Sequence, residues 1–187
     1  MNTKYKQKLL VISDKLIKRI ANYDSLAFEE LYNKSSGAVF GLAMSILANQ
    51  SDAEDVVQET YISVYNNASK YKDKGKAMAW IFTIARNHAL MIIRNRQKHK
   101  HVNLDDSFNV STEDHIEENL HKEQLTEILL RTLKEDERQI VVMHSMSNVK
   151  HKDIAKIMDM PLSTVLSKYK RSLAKLKREM EVNEYEK

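Results

Sequence analysis

The feature that most restricts the fold is a single proline, Pro161, which lies between two segments with helical periodicity. Proline supplies no amide hydrogen and disfavours helical geometry in the residue before it, so one helix should end before Pro161 and another should begin just after it. Apolar residues three or four positions apart give each helix one buried face. These residues are Ile154, Ala155, Ile157 and Met158 in the first helix, and Leu162, Val165, Tyr169, Leu173, Leu176 and Met180 in the second.

The opposite face of the second helix is polar and basic. Two helices, a tight turn and such an outer face are typical of a helix-turn-helix. The second helix of this motif fits the DNA major groove, where its early residues reach base edges and its cations reach phosphates. An ordinary helical hairpin with a solvated basic face remains the alternative. The residues of the outer face are Thr164, Ser167, Lys168, Arg171, Lys175 and Arg178.

Composition indicates an all-α protein. The chain has 187 residues, of which 42% are hydrophobic, with only three glycines and one proline. This composition predicts helices throughout and few tight turns. The absence of cysteine excludes disulfides and thiolate zinc sites. No stretch approaches the roughly 20 apolar residues that span a bilayer, so we expect a cytoplasmic protein without membrane insertion.

Charge is distributed unevenly, although the net charge is only +4. Residues 138–178 contain ten lysines and arginines against two acids, and residues 86–100 contain five against none. Between these segments, residues 101–137 contain eleven acids against three lysines and arginines. Two basic surfaces with an acidic segment between them suggest a polyanion that is bound at two places. Solvated helix faces are the alternative for each basic segment.

Periodicity divides the chain into two small helical domains joined by a flexible acidic linker, and the second domain ends in the helix-turn-helix. Residues 1–24 are a basic helical extension, and residues 25–97 form the first domain, whose longest helix is predicted over 77–98. Helical periodicity collapses over 98–122, where polar and acidic residues dominate. Residues 123–182 form the second domain. Asp24 or Ser25 can cap the first helix of the first domain.

An acidic helix is predicted to begin at Ser51, whose side chain can form a capping box with Glu54. Acids in a first turn complement the helix dipole, which is a structural reason for some of them. Together with amides they also form a stripe along one side of the helix, and such a surface suits a basic protein partner rather than DNA. The residues of this stripe are Asp52, Asp55, Gln58 and Glu59.

A lysine-rich loop and the helix that follows it form another candidate surface. The loop, residues 72–76, lies near Tyr71 and Trp80. Cations beside aromatic rings suit single-stranded nucleic acid, because its bases stack while its phosphates find charge. The helical spacing of Trp80 with Ile81 and Ile84 favours a core position for Trp80 instead. The polar candidates are Lys72, Lys74 and Lys76 in the loop, and Arg86, Asn87 and Arg94 on the helix.

Five motifs, in order along the chain, resemble those of bacterial extracytoplasmic-function (ECF) sigma factors of the sigma-70 family. Residues 52–60 (DAEDVVQET) and 80–87 (WIFTIARN) are similar to the second conserved region of these proteins. Residues 133–138, 153–155 and 161–167 are similar to the fourth. The resemblance implies that the two predicted domains are sigma region 2 and sigma region 4.

The resemblance also implies a protein that directs RNA polymerase core to specific promoters. In this family the acidic helix docks on the clamp of the polymerase large subunit, the lysine loop and following helix hold the melted −10 element, and the recognition helix reads the −35 element. An anti-sigma factor is a further expected partner. The resemblance assigns docking to Asp52, Asp55, Gln58 and Glu59. It assigns contact with the −10 element to Lys72, Lys74, Lys76, Arg86, Asn87 and Arg94. It assigns contact with the −35 element to Thr164, Ser167, Lys168 and Arg171.

Some positions depart from the family pattern. Asn148 and Asp159 stand where glycine is common, but both residue types tolerate left-handed backbone geometry better than most. Leu166 replaces a frequent lysine, which removes at most a phosphate contact. Lys168 replaces a frequent arginine and so gives up bidentate recognition. Met91 and Lys134 also differ from the usual residues.

Other functions stay open from the residues alone. A stand-alone helix-turn-helix regulator would need a dimerisation surface, and the chain has no sustained heptad repeat. A sigma-like interaction protein could bind polymerase without reading promoters. Catalysis is not expected, because no nucleophile–base pair or glycine-rich phosphate loop occurs. His144 and His151 have no carboxylate at ligand spacing, so neither a metal nor a cofactor is expected.

Overall fold

The structure is a computed structural model that describes residues 12–72, 74–100 and 126–185. The described residues are helical and contain no strand, which confirms the predicted all-α class. Most of the predicted linker, and residues 1–11 of the predicted extension, lie outside them. The helices are α1 (Asp14–Ala21), α2 (Ser25–Leu47), α3 (Gln50–Asn67), α4 (Ala77–Lys100), α5 (residues 126–132), α6 (Glu135–Ser147), α7 (His151–Met158) and α8 (Leu162–Tyr185), with a 3-10 turn at Ala68–Lys70.

Side-chain caps set the starts of α2 and α3. Asp24 accepts a hydrogen bond from the Ala27 amide at 3.0 Å, so it is the residue that caps α2. Asn49 accepts one from the Asp52 amide at 2.9 Å. The prediction that Ser51 caps α3 is therefore wrong. The extended backbone of Asn49 (φ −142°, ψ 126°) lets its side chain reach the free amides first, so Ser51 already lies within the helix.

The first half of the chain is a bundle in which α2, α3 and α4 pack together. Leu42 of α2 and Ile81 and Phe82 of α4 are fully buried at its centre. Both Ile81 and Phe82 point inward because α4 packs against two helices at once. Trp80, for which a core position was predicted, is half-buried at the edge of this core, and its ring centroid lies 4.9 Å from that of Tyr71.

The second half packs directly on the first through α6 and α2, and the two halves share one apolar core. Gly41 permits the close approach, because a Cβ atom at this position would lie 3.0 Å from Met146 Sδ. Arg138 of α6 donates from Nε to the Ser45 carbonyl oxygen at 2.9 Å and from Nη1 to the Leu133 carbonyl oxygen at 2.8 Å. One guanidinium therefore ties the end of α2 to the segment before α6.

Left-handed residues end the two helices before the recognition helix. Asn148 (φ 51°) follows α6, and Asp159 (φ 51°) follows α7, as predicted for both positions. The turn after α7 is closed by the Met160 amide, which donates to the Ala155 carbonyl oxygen at 2.9 Å. Pro161 then precedes α8 without loss of a hydrogen bond, because the first amides of a helix have no intrahelical acceptor. The predicted helix-turn-helix is confirmed.

Candidate polymerase and promoter interfaces

The acidic stripe lies on the exposed face of α3. Asp55, Gln58 and Glu59 are exposed, and none of them forms a side-chain hydrogen bond or ion pair with another described residue. Asp52 is half-buried and forms an ion pair with Arg96 of α4. Of the four predicted docking residues, three are therefore available to a partner, and the fourth joins α3 to α4.

Exposed apolar side chains extend this surface along α3. Ile62 is 53% exposed and Tyr65 is 43% exposed. The Tyr65 ring packs edge-on against Phe28, with centroids 5.5 Å apart, and against Tyr23, with centroids 6.4 Å apart. The docking surface was predicted from charge, and that prediction did not include Ile62 and Tyr65. Their signal in the sequence is the excess of aromatic residues at helical spacing beside the acids.

The lysine loop is shaped by a buried carboxylate of α1. Asp14 accepts hydrogen bonds from the Gly75 amide at 2.5 Å and from the Tyr71 hydroxyl at 2.8 Å. Gly75 adopts φ 66°, which glycine reaches without steric cost. Burial, followed by the hydrogen bond to Asp14, raises the pKa of Tyr71 to about 12, so its hydroxyl remains a donor at neutral pH. Lys72 and Lys74 are exposed on this loop.

The predicted −10 residues of the loop and of α4 do not all face solvent. Asn87 and Arg94 are exposed, whereas Arg86 is half-buried and donates from Nε to Gln139 Oε1 of α6 at 3.0 Å. Lys76 Nζ lies 2.5 Å from Asp153 Oδ1 of α7. Two cations of the first half are therefore held by the second half.

A polar cleft of about 330 Å³ opens between α3 and α4. Trp80 and Ile84 form its apolar wall, and Ser63 donates to or accepts from His88 Nε2 at 2.9 Å within it. Asn87 is the one predicted −10 residue that lines the cleft. The sequence prediction missed its other polar lining residues, which are Ser63, Asn67, Lys70 and His88.

The recognition helix α8 presents Ser167 and Arg171 on its exposed face, with Thr164 half-buried beside them. Lys168 is turned aside, because its Nζ atom lies 2.6 Å from Asp136 Oδ2. Burial is the largest single effect on Asp136 and raises its pKa. The hydrogen bond and the charge of Lys168, together with backbone hydrogen bonds, outweigh burial and leave this pKa below its usual value.

Behind the exposed face of α8, three aromatic rings hold the motif together. The ring centroids of His144 and His151 are 4.1 Å apart, and that of Tyr169 lies 4.9 Å from the first and 4.7 Å from the second. Burial, and then the neighbouring His144, lower the pKa of His151. His151 Nε2 is buried and has no hydrogen-bond partner among the described residues. The neutral imidazole is therefore favoured in the folded state.

The described residues contain no group of three or more histidines, aspartates or glutamates placed to hold a metal ion. Among the described helices, none is long and apolar enough to cross a membrane.

Comparison with known proteins accounts for both helical halves. Residues 31–99 match the family described as Sigma-70 region 2, and residues 126–176 match the family described as Sigma-70, region 4. The ECF RNA polymerase sigma factor SigK of Mycobacterium tuberculosis is 28% identical over 178 residues, which cover 91% of this chain and 94% of the relative. This chain belongs to the ECF sigma factors of the sigma-70 family. The predicted function, direction of RNA polymerase to promoters, is confirmed by these matches.

This sigma factor resembles other members in sequence and fold. The ECF RNA polymerase sigma-E factor of Haemophilus influenzae is 27% identical over 165 residues, covering 82% of this chain and 87% of the relative. The sigma factor RpoE of Bartonella quintana, solved with the anti-sigma factor NepR, has a TM-score of 0.70 at 24% identity and covers 83% of this chain and 97% of its own. CnrH, solved with the cytosolic domain of CnrY, has a TM-score of 0.63 at 19% identity and covers 91% and 97%.

The predicted site residues of this sigma factor fall into three groups. Those without a side-chain hydrogen bond or ion pair to another described residue are Asp55, Gln58, Glu59, Lys72, Lys74, Asn87, Arg94 and Thr164. Those held by side chains of other helices are Asp52, Lys76, Arg86 and Lys168. Ser167 and Arg171 bond only to backbone oxygens within α8.

Proposed function

We propose that this sigma factor binds the clamp of the polymerase large subunit through α3 and lends the enzyme two DNA contacts, one from each half. The observation that carries the proposal is the exposed stripe of Asp55, Gln58 and Glu59, which has no partner among the described residues. Three polar side chains left unpaired on one helix face suit a basic partner helix. Ile62 and Tyr65 supply the apolar area that such an interface needs at its centre.

The first half, residues 25–97, captures the melted −10 element. Lys72, Lys74 and Arg94 are exposed and can reach phosphates. The cleft beside Trp80 offers an aromatic wall and polar groups for an extruded base. Extruding a base costs a few kcal/mol. A shallow surface on the free domain does not supply enough binding free energy to offset this cost. Binding to polymerase offsets this cost, because it raises the effective concentration of the strand.

The second half, residues 123–182, reads the −35 element with α8. Thr164 and Ser167 lie near the start of the helix, where a recognition helix meets base edges, and Arg171 follows one turn later. Arginine is the side chain best shaped for bidentate contact with guanine. Lys168 contributes after its ion pair with Asp136 opens.

The two halves separate when the sigma factor joins polymerase and promoter. Arg86 and Lys76 cannot contact the −10 strand while Gln139 and Asp153 hold them. The packed arrangement is therefore the form of the free protein. An anti-sigma factor stabilises an inactive form of this kind, a suggestion supported by the two solved neighbours, each of which is bound to another protein. Since the protein acts on polymerase, its place is the cytoplasm, and it performs no catalysis and needs no cofactor.

The test is a pull-down with purified bacterial RNA polymerase core. Asp55→Lys/Gln58→Ala should abolish the binding that the wild type shows, because it places a cation on the acidic face. Glu127→Lys is the control, since Glu127 is an exposed acid of α5 without a described side-chain partner. Binding that the double variant retains would place the interface elsewhere. A folded wild type that fails to bind would point to an independent DNA-binding regulator instead.

A further inference from the structure

A cleft of about 400 Å³ lies between the lysine loop of the first half and the start of α7 in the second. One wall contains Lys74 and Lys76, and the other contains Lys150 and Lys152. Among the described lining residues Asp153 is the one acid, so these residues carry a net charge of +3. Its volume falls in the range of small-molecule sites, which is roughly 300–1,000 Å³.

The cations of this cleft are only partly satisfied. Lys76 is paired with Asp153, but Lys74, Lys150 and Lys152 are exposed and form no side-chain hydrogen bond or ion pair with another described residue. Lysines gathered from two halves of a chain repel one another, and they therefore favour an anion that neutralises them together.

Backbone amides at the start of α7, beside the same cleft, also lack hydrogen-bond acceptors. Lys150 is the N-cap residue of α7, and its side chain makes no capping hydrogen bond. A lysine cannot make one, because its ammonium group has no acceptor. The His151 and Lys152 amides therefore have no acceptor among the described residues, whereas the Asp153 amide donates to the Lys150 carbonyl oxygen at 2.7 Å. The positive end of the helix dipole favours an anion at this position.

A buried hydroxyl provides an independent sign of a missing ligand. Ser147 lines the cleft, is only 4% exposed, and its Oγ atom has no hydrogen-bond partner among the described residues. A buried hydroxyl without a partner is costly, so an acceptor at this site would relieve it. Nearby, Ile12, Met78 and Val149 give the cleft an apolar wall.

We propose that this cleft binds the polyphosphate group of a small molecule, of the nucleoside polyphosphate class. The lysines and the uncapped amides of α7 receive the phosphates, and the apolar wall receives the rest of the molecule. Because the ligand touches both halves, it stabilises their packed arrangement. Under the function proposed above, it also withholds Lys74 and Lys76 from the −10 strand. The small size of the cleft favours such a ligand over a nucleic acid strand.

The experiment uses the full chain with two probes, tripolyphosphate and ATP, at fixed ionic strength in titration calorimetry. Lys150→Ala/Lys152→Ala should weaken tripolyphosphate binding about tenfold or more, because it removes two charge-assisted contacts. Lys156→Ala/Lys170→Ala is the matched control, since it removes the same charge from exposed positions outside the cleft. ATP should bind more tightly than tripolyphosphate if the apolar wall contributes.

Several results would overturn the proposal. One is binding of neither probe by the wild type, and another is equal binding by the cleft variant and the control. A third is a loss, in the cleft variant, of single-stranded DNA binding alone, which would assign these lysines to the promoter strand. Polymerase pull-down with the same variant should match the wild type, so failure of the cleft proposal is distinguishable from failure of the docking proposal.

Discussion

Arg86 Nε donates to Gln139 Oε1 at 3.0 Å and so joins α4 of the first half to α6 of the second. Gln139 is only 1% exposed, and its amide nitrogen donates in turn to Glu135 Oε1 at 2.9 Å. Burial lowers the pKa of Arg86, but an arginine remains charged at physiological pH. A cation predicted to contact DNA thus satisfies a buried amide of the same chain.

Asp153→Asn should loosen the contact between the halves, because it removes the charge that holds Lys76. We expect a loss of stability on the order of 1 kcal/mol, since the lysine of the pair is partly exposed. The free protein should also bind a −10 single strand more tightly, as measured by fluorescence anisotropy. Glu127→Gln removes one negative charge from an exposed residue of α5 without a described side-chain partner and should leave both quantities unchanged.

The two glycines of α2 should respond in opposite ways to larger side chains. Gly37→Ala should stabilise the protein by about 0.5–1 kcal/mol, because nothing lies near the new methyl group and alanine favours the helix. Gly41→Val should destabilise it by about 1–3 kcal/mol, because the new atoms meet Met146 and Val142 of α6. Urea unfolding measures both, and a stabilised Gly41→Val would mean that α2 and α6 do not pack closely in solution.

Capping of α3 can be assigned by a matched pair of alanine substitutions. Asn49→Ala should lower the free energy of unfolding by about 1 kcal/mol, because it leaves the Asp52 amide without an acceptor. Ser51→Ala should be close to neutral, since Ser51 is an exposed residue within the helix. Chemical denaturation that ranked the two variants the other way would restore Ser51 as the cap.

Stability should fall as the pH drops below about 6.5. Burial, and then His144, lower the pKa of His151 in the folded state. Above the unfolded pKa both states hold a neutral imidazole, so the group adds no pH dependence there. Below it the unfolded state binds the proton more readily, and the equilibrium shifts toward unfolding. The rings that face His151 are His144 of α6 and Tyr169 of α8.

His151→Gln removes this titration and should flatten the dependence of the unfolding free energy on pH below about 6.5. Chemical denaturation at a series of pH values measures this dependence. A variant with the same slope as the wild type would assign the dependence to another group.

Arg171→Ala in the polymerase holoenzyme should weaken promoter binding by about 1–3 kcal/mol and relax the preference at one −35 position, if this side chain reads a base. Lys177→Ala is the control on the same helix, because the Lys177 ammonium lies 3.7 Å from Glu181 and forms an exposed ion pair within α8. Footprinting on promoters with single substitutions distinguishes the two. Uniform weakening at every promoter would make Arg171 a phosphate contact.

The helix-turn-helix was predictable because its determinants are local. A proline such as Pro161 disfavours helix at the residue before it, whatever the tertiary structure. The short polar side chains of Asn148 and Asp159 tolerate left-handed backbone geometry. The choice between Asn49 and Ser51 as the cap of α3 was not predictable, because both side chains can cap. Only the backbone angles at Asn49 decide between them.

Periodicity in the sequence was enough to establish the helices, the acidic stripe of α3 and the basic face of α8, because neighbours three and four residues apart share a helix face in any helix. The partners across helices depended on the tertiary structure. Lys168 meets Asp136 because α6 packs against α8, and Arg86 meets Gln139 because α6 also packs against the first half. Such contacts join residues far apart in the chain, so no local spacing encodes them, and they decide which of the predicted DNA contacts are free.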